Sequence, residues 1–401
     1  MDVLGYLVLL PIGAYLFFNV LYLLVLAVAG WLGSDDERSL PKQPSRIRRM
    51  AVLIPAYKED RVIIDSVQAN LRQTYPASSY DIFVIADSFR AETLQELAQY
   101  PIRVLPVSFE QSTVQKSLGY ALNALPENDY DIVVISDADN HMATDFLERI
   151  NLAFDGGWRA VQGHRVAKNT NTSVAVFDAM NEEVSNHIFR SGQRAVGLSA
   201  SLIGSGMAFE PATMKRLMGR IRTVGGYDKE LEINLLLEGV SIAYLKQALI
   251  YDEKVQNLEV FERQRTRWIA AQVHFAKVYA GTGIQQLFQG RFDPAFAFIK
   301  ALILPRTLLL AALFFSVLLG LVTQSASILI PALALSGTLL VSMFISIPGY
   351  LWQKISISDI LTFPLLVFRM IRSLLKVKTA QKKFIHTPHG ETPAGKEKTK
   401  V

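Results

Sequence analysis

The chain has 401 residues, half of them hydrophobic, a formal net charge of +5 and no cysteine. Length and apolar share point to a membrane protein with a substantial soluble part, and the missing cysteines exclude disulfides, thiolate catalysis and cysteine-ligated zinc. The positive charge clusters beside apolar stretches, which implies membrane lipids with anionic head groups as neighbours and no nucleic-acid partner.

No charged residue occurs from Val3 to Gly33, and Leu4 to Trp31 is apolar enough for one spanning helix. Asp2, the absence of Lys or Arg before the stretch, and its length against the roughly 7 to 15 residues of a signal core predict a retained anchor over 1–33. Polar residues and prolines make 34–45 a linker. From 46 to 280, short β-rich runs alternate with helix-length segments, the pattern of an α/β domain with a mostly parallel sheet. Strands are expected at Ala51 to Ala56, Asp81 to Ala86, Ile102 to Pro106, Asp131 to Ser136, Ala160 to His164 and Ser241 to Leu245. Helices are expected at Arg61 to Arg72, Thr93 to Gln99, Thr113 to Ala124 and Asp145 to Phe154.

A transmembrane hairpin is expected within 281–350, its arms at Ile303 to Val322 and Ile328 to Ile347. Residues 351–376 then read as an interfacial amphipathic helix, because Ile360 to Phe368 is followed by Arg369, Arg372 and Lys376. The segment 377–401 is a basic tail carrying Lys378, Lys382 and Lys383. Basic residues from Arg38 to Arg49 and in the tail set both segments in the cytoplasm. An outer amino end, three spans and a cytoplasmic catalytic domain in the plasma (inner) membrane satisfy this.

Three predicted strand ends carry chemistry. The first runs into Pro55-Ala56-Tyr57-Lys58-Glu59-Asp60, the second stops at Asp87-Ser88, and the fourth at Asp137-Ala138-Asp139. Ligands of open α/β sheets gather at the carboxyl ends of parallel strands, so these ends are expected to converge on one crevice. There Tyr57 and Asp87 would hold a nucleobase, while Asp137 and Asp139 offer hard oxygen ligands to Mg²⁺ or Mn²⁺ at a diphosphate. A solvated acidic turn is the alternative for each aspartate. His141 and His164 are read as structural.

Ile54-Pro55-Ala56-Tyr57-Lys58-Glu59, Ile85-Ala86-Asp87-Ser88, Lys116 with Ala121-Leu122-Asn123, and Asp137-Ala138-Asp139 are followed by Gly204-Ser205-Gly206-Met207-Ala208-Phe209, Tyr227-Asp228-Lys229-Glu230-Leu231 and Gln264-Arg265-Thr266-Arg267-Trp268. In this order, and flanked by membrane spans, they resemble the membrane-bound family 2 glycosyltransferases, in the branch of the cellulose, hyaluronan and poly-N-acetylglucosamine synthases. The last motif is similar to the Q-x-x-R-W signature of that branch. The resemblance implies a GT-A fold, Rossmann-like with a mostly parallel sheet, between N- and C-terminal transmembrane helices. It implies inverting transfer from a UDP-sugar to a growing β-linked polysaccharide. Asp228 would be the catalytic base, and Arg267 would help the metal at the leaving diphosphate, its fork matching phosphate oxygens; Pro55, Tyr57, Glu59, Asp87, Lys116 and Asp137 would bind the donor, Asp137 and Asp139 the metal, and Gly204, Ser205, Gly206, Gln264 and Trp268 the acceptor. Gly226-Tyr227-Asp228 stands where Thr-Glu-Asp is usual, and Ala86 precedes Asp87 where a second aspartate is common.

Each role has a plain structural alternative. Asp228 is suited to capping a helix over Lys229 to Glu238, Arg267 and Trp268 to anchoring at a membrane boundary, and the glycines at 204 and 206 to bending a strand. Two further functions stay open: transfer of one sugar to a lipid acceptor, and an inactive nucleotide-sugar sensor or scaffold in an export complex. With three spans, a polymer-secreting channel calls for a homo-oligomer or an export subunit.

Overall fold

The computed structural model describes residues 3–33, 36–221, 223 and 225–376. The basic tail expected over 377–401 lies outside the described residues.

The chain opens with helix α1 (Val3–Leu32) and a 3₁₀ turn, Asp36–Ser39. There follow β1 (Met50–Tyr57), α2 (Ile63–Asn70), β2 (Tyr80–Asp87), α3 (Ala91–Leu97), β3 (Arg103–Val107), α4 (Val114–Ala124) and β4 (Ile132–Ile135). Next come β5 (His141–Met142), α5 (Phe146–Asp155), β6 (Ala160–Ala167), α6 (Ser173–Asn186), a π-helical turn at His187–Gly192, and α7 (Gln193–Ala195). β7 (Met207–Phe209), α8 (Pro211–Met218), α9 (Tyr227–Leu237) and β8 (Ile242–Asp252) complete the sheet and its cover. The remaining helices are α10 (Leu258–Phe288), α11 (Phe292–Ala301), α12 (Arg306–Val322), α13 (Ala326–Ser346), α14 (Gly349–Trp352) and α15 (Ile357–Leu375).

One sheet of eight strands runs β3-β2-β1-β4-β7-β6-β8-β5. The first four are parallel, as their β-branched runs predict, but β7 enters antiparallel to both β4 and β6, and β5 is antiparallel to β8. The sheet is therefore mixed. The two unforeseen strands, β5 and β7, are too short for alternation to mark them.

Side chains alternate across the pleat. Ala51, Leu53, Val133 and Ile135 pack with α4, α8 and α9 on one face, while Val52, Ile54, Ile132 and Val134 pack with α2 and α5 on the other. A third core joins α1 to α6, α12 and α13 through Leu16, Val20, Leu23, Ala179, Leu313 and Leu339. Helix α6 thus belongs to the membrane helices as much as to the sheet. The expected linker is also partly fixed: Asp36 is buried, ion-paired with Arg194 at 2.8 Å, and accepts the Tyr244 N–H at 3.0 Å.

Among the described residues two helices are long and apolar enough to cross a membrane, Leu9–Leu32 and Ala326–Ser346. The expected third span is a bent pair, α11 with α12, meeting at 60°. The break falls before Pro305, whose ring fixes the backbone at the start of α12, so this arm opens at Arg306 and not at Ile303. The boundary expected at 280 lies inside α10, which continues to Phe288. Amphipathic α15 leaves Ile357, Ile360, Leu361 and Phe368 exposed and turns Arg369 and Lys376 onto buried Glu262 of α10, at 2.8 and 2.5 Å.

Candidate active site

In the register of β1 and β2, Tyr57 stands opposite Asp87. Both strands end in left-handed residues, Lys58 at φ 56° and Ser88 at φ 60°. Non-glycine residues held there cost of order 1–3 kcal/mol and cluster at functional sites. The Lys58 N–H donates to the Asp87 carbonyl at 3.0 Å and the Ser88 N–H to Val107 at 3.0 Å, which fixes both turns. Beside them a small open cleft is lined by Pro55, Tyr57 and Asp87, by Ser112 and Thr113 just before α4, and by Val114 and Ser117 of its first turn.

Asp87 is fully buried. One carboxylate oxygen accepts the Ser88 hydroxyl at 2.9 Å, and the other, Oδ2, has no hydrogen-bond partner among the described residues. A buried carboxylate oxygen left bare is costly. Lys116 is not part of this lining. It points outward, and its ammonium donates to the Gln111 carbonyl at 2.7 Å. Thr113 caps α4 by accepting the Lys116 backbone N–H. Glu59 is buried within the turn that follows Lys58.

Asp137 and Asp139 do not line this cleft. Strand β4 pairs with β1 only through Leu53, so its end falls four residues short of Tyr57, and Asp137 begins a second cluster. The Asp137 N–H donates to Ser205 Oγ at 2.9 Å, tying β4 to the loop before β7. Gly204 and Gly206 have φ of 89° and 64°, and a Cβ on Gly206 would come within 2.7 Å of Ile250, so glycine is required there. These glycines shape the loop that holds Asp137, a role beyond bending a strand.

Tyr227, buried at the start of α9, donates its hydroxyl to the Gly204 carbonyl at 2.7 Å. Burial raises this phenol far above its ordinary range, and the negative charges of Asp137 and Asp228 push it the same way. Asp228 is half-buried. The N-cap of α9 is Gly226, at φ 74°, so Asp228 sits one residue inside the helix and the expected capping role is corrected. Burial lowers the Arg267 guanidinium from its ordinary value, and Asp137 is the charge that opposes this. Arg165 is raised: burial acts against it, but Glu182, Asp252 and Asp137 overcome that.

Of the remaining residues, Gln264 is half-buried and its Oε1 has no hydrogen-bond partner among the described residues. Trp268 is 38% exposed, and the Arg265 guanidinium lies 4.0 Å from its ring centroid, so one indole face is already covered. Asp139 is buried, in electrostatic contact with His141. His141 is 3.0 Å from Asp65, and His164 is 3.0 Å from Glu183, as suits structural histidines. Arg165 and the role of Tyr227 were missed, because a strand arginine and a helix-start tyrosine carry no local signature.

The described residues hold no group of three or more histidine, aspartate or glutamate side chains that could by itself bind a metal ion. Two carboxylates one residue apart still fit Mg²⁺ or Mn²⁺, which are commonly bound by one or two carboxylates together with substrate phosphates.

The chain is similar to the probable glycosyltransferase YdaM of Bacillus subtilis (strain 168), with 25% identity over 243 residues, 58% of this chain and 58% of that protein. It thus spans less than two thirds of the length of that curated relative. Among solved structures, the mannosyltransferase PcManGT from Pyrobaculum calidifontis, in complex with GDP-Man and Mn²⁺, shares the fold at a TM-score of 0.53 and 17% identity, over 91% of this chain and 98% of that one. A family described as "Glycosyltransferase like family 2" matches residues 48–271, from the first strand through the Gln264 to Trp268 motif and over more than half of the chain. The chain belongs to that family.

Proposed function

We propose that this enzyme takes a sugar from a nucleoside diphosphate donor and passes it, with inversion, to an acceptor at the membrane boundary. The observation that carries this reading is that one loop ties the acidic end of β4 to the start of α9: its Ser205 Oγ accepts the Asp137 N–H at 2.9 Å, and its Gly204 carbonyl accepts the hydroxyl of Tyr227, the residue before Asp228, at 2.7 Å. The cleft of Pro55, Tyr57 and Asp87 takes the nucleobase, whose N–H groups satisfy Asp87 Oδ2. Asp137 and Asp139 face the diphosphate. A divalent cation bound there supplies Lewis-acid neutralisation of the leaving group. The GDP-Man and Mn²⁺ of the mannosyltransferase of similar fold are in keeping with such a donor and cation.

In one-step transfer an acceptor hydroxyl attacks the anomeric carbon as the nucleoside diphosphate leaves. Asp228 accepts the hydroxyl proton, and Arg267 offers its fork of N–H groups to departing phosphate oxygens. Gln264 and the open face of Trp268 receive the acceptor. The product we favour is a β-linked polysaccharide, on the Q-x-x-R-W motif that likens the chain to the synthase branch. Transfer of one sugar to a lipid is the second reading, favoured by the packing of α6 and α12 beside the motif helix.

Anchored by α1 and α13, with residues 46–280 as catalytic domain in the cytoplasm, the enzyme would work at the inner face of the plasma membrane. The test is nucleoside diphosphate release by the purified protein with a panel of UDP- and GDP-sugars in Mg²⁺, Mn²⁺ or EDTA, followed by product sizing. Cation-dependent release with one donor is expected, and a polymer ladder identifies the synthase. Tight donor binding without release, with lipid and oligosaccharide acceptors supplied, would replace the reading with that of a sensor.

A further inference from the structure

Asp178, Asn181 and Ser185 form one stripe of α6, and two arginines from different helices are seated along it. Arg265 of α10 pairs with Asp178. Arg306, the first residue of α12, donates through Nη2 to the Asn181 carbonyl at 2.8 Å, to Asn181 Oδ1 at 2.6 Å and to Ser185 Oγ at 2.7 Å. All three of those acceptors are neutral. Arg306 is 8% exposed and Arg265 4%, yet Arg306 Nη1 and Arg265 Nε have no hydrogen-bond partner among the described residues.

The surroundings do not neutralise Arg306. Glu182 is taken by Arg165 at 2.9 Å and Lys254 at 3.2 Å, Asp252 by Lys254 at 2.6 Å, and Glu183 by His164 and Tyr350. Arg190 nearby is also held by neutral oxygens, Asn186 Oδ1 at 2.9 Å and the Ser201 carbonyl at 3.1 Å. A buried guanidinium without a counter-charge is strongly unfavourable. Its place at the start of α12 adds to this, because the helix dipole favours negative charge there.

We propose that Arg306 and Arg265 form a binding site for a phosphate group between α6, α10 and α12. A phosphate presents several oxygens to the planar, forked donors of two guanidinium groups. It also supplies the negative charge that Arg306 lacks, since the one carboxylate of the stripe, Asp178, is paired with Arg265. Because Arg306 begins a helix of the membrane region, at the 60° bend from α11, the head group of an anionic lipid is the source the position favours, and free phosphate is the other. The bound group braces α10, the helix of Gln264, Arg267 and Trp268, against α6.

The test uses the full chain in maltoside detergent, which contains no phosphorus, with added phosphatidic acid, diacylglycerol of the same acyl chains, or inorganic phosphate. Lipid retained by the folded protein is read by native mass spectrometry, and thermal stability is read in parallel. Phosphatidic acid is expected to be retained and to raise Tm, with diacylglycerol doing neither. Arg306→Gln should cut retention about tenfold or more, the scale of a lost charge-assisted bond. Neutralising the basic face of α15 (Arg369→Gln, Arg372→Gln and Lys376→Gln, with Glu262→Gln) should leave retention intact. Inorganic phosphate raising Tm as well would sustain the site and assign it a free anion. Equal retention of the two lipids with no phosphate effect overturns the site, as does unchanged retention in Arg306→Gln. If that variant does not fold, loss of retention in the α15 variant is the overturning result. The readout is binding, so it stands apart from the donor and base assignments.

Discussion

Tyr57 and Asp87 face each other in register at the ends of two adjacent parallel strands, and each is followed by a left-handed residue that turns the chain away from the cleft. Oδ2 of Asp87 is buried with no hydrogen-bond partner among the described residues, and the proposed nucleobase would supply one. Asp87→Asn replaces that acceptor with an amide that donates, so it should weaken nucleoside diphosphate binding by about 10-fold or more, the scale of one or two buried charged hydrogen bonds. Calorimetric titration with UDP and GDP measures this, and an unchanged Kd for both nucleotides removes Asp87 from the donor site.

Asp228 tests the second cluster. As a base one residue inside α9, it is needed only when the acceptor proton moves. Asp228→Asn should therefore leave the donor Kd nearly unchanged and lower kcat by roughly 10²-fold or more. Turnover close to the wild type in a variant that still binds donor would return Asp228 to a structural role in the first turn of its helix.

The parallel half of the sheet could be read in advance because its strands are continuous β-branched runs, and Asp87 and Asp137 stood out as acids at the ends of such runs. The division of those acids between two places could not be read. It follows from where β4 stops pairing with β1, and that depends on the loop of Ser205 and Gly206 reaching across to take the Asp137 N–H and to donate the Gly206 N–H to Ile135. That Lys116 lies outside this lining could not be read for a related reason: a helix-start lysine and a cleft-facing threonine three residues earlier look alike in one dimension, and only the roll of α4 separates them. Arg165 and Tyr227 gain their roles from tertiary neighbours alone.

Docking of the π-helical turn on α1 depends on close backbone approach. A Cβ on Gly192 would run into the Leu26 carbonyl, and one on Gly30 would lie 2.8 Å from the His187 carbonyl. Both contacts are with backbone that cannot swing aside, so Gly192→Val should destabilise the protein by about 1–3 kcal/mol through overpacking. A fall in Tm is expected, with the donor Kd unchanged in the protein that remains folded. A Tm equal to the wild type would mean that the turn and α1 are not in contact.

The same contact should weaken in mild acid. His187 donates through Nε2 to the Ala27 carbonyl at 2.8 Å. Burial lowers its pKa below the ordinary value; the Ala27 bond and Glu183 oppose this and Lys246 adds to it. The folded state therefore prefers the neutral ring. Above about pH 6.5, the usual pKa of an unfolded histidine, neither state takes a proton and the contribution is complete. As pH falls from there toward the lower folded value, the unfolded chain binds a proton that the folded chain refuses, and stability declines. Thermal melts between pH 7.5 and 5 should thus show a steeper loss for the wild type than for His187→Gln, whose amide keeps a donor but does not titrate. Parallel curves for the two proteins would locate any acid sensitivity elsewhere, with His141 the next group to test because burial and Lys168 lower it in the same direction.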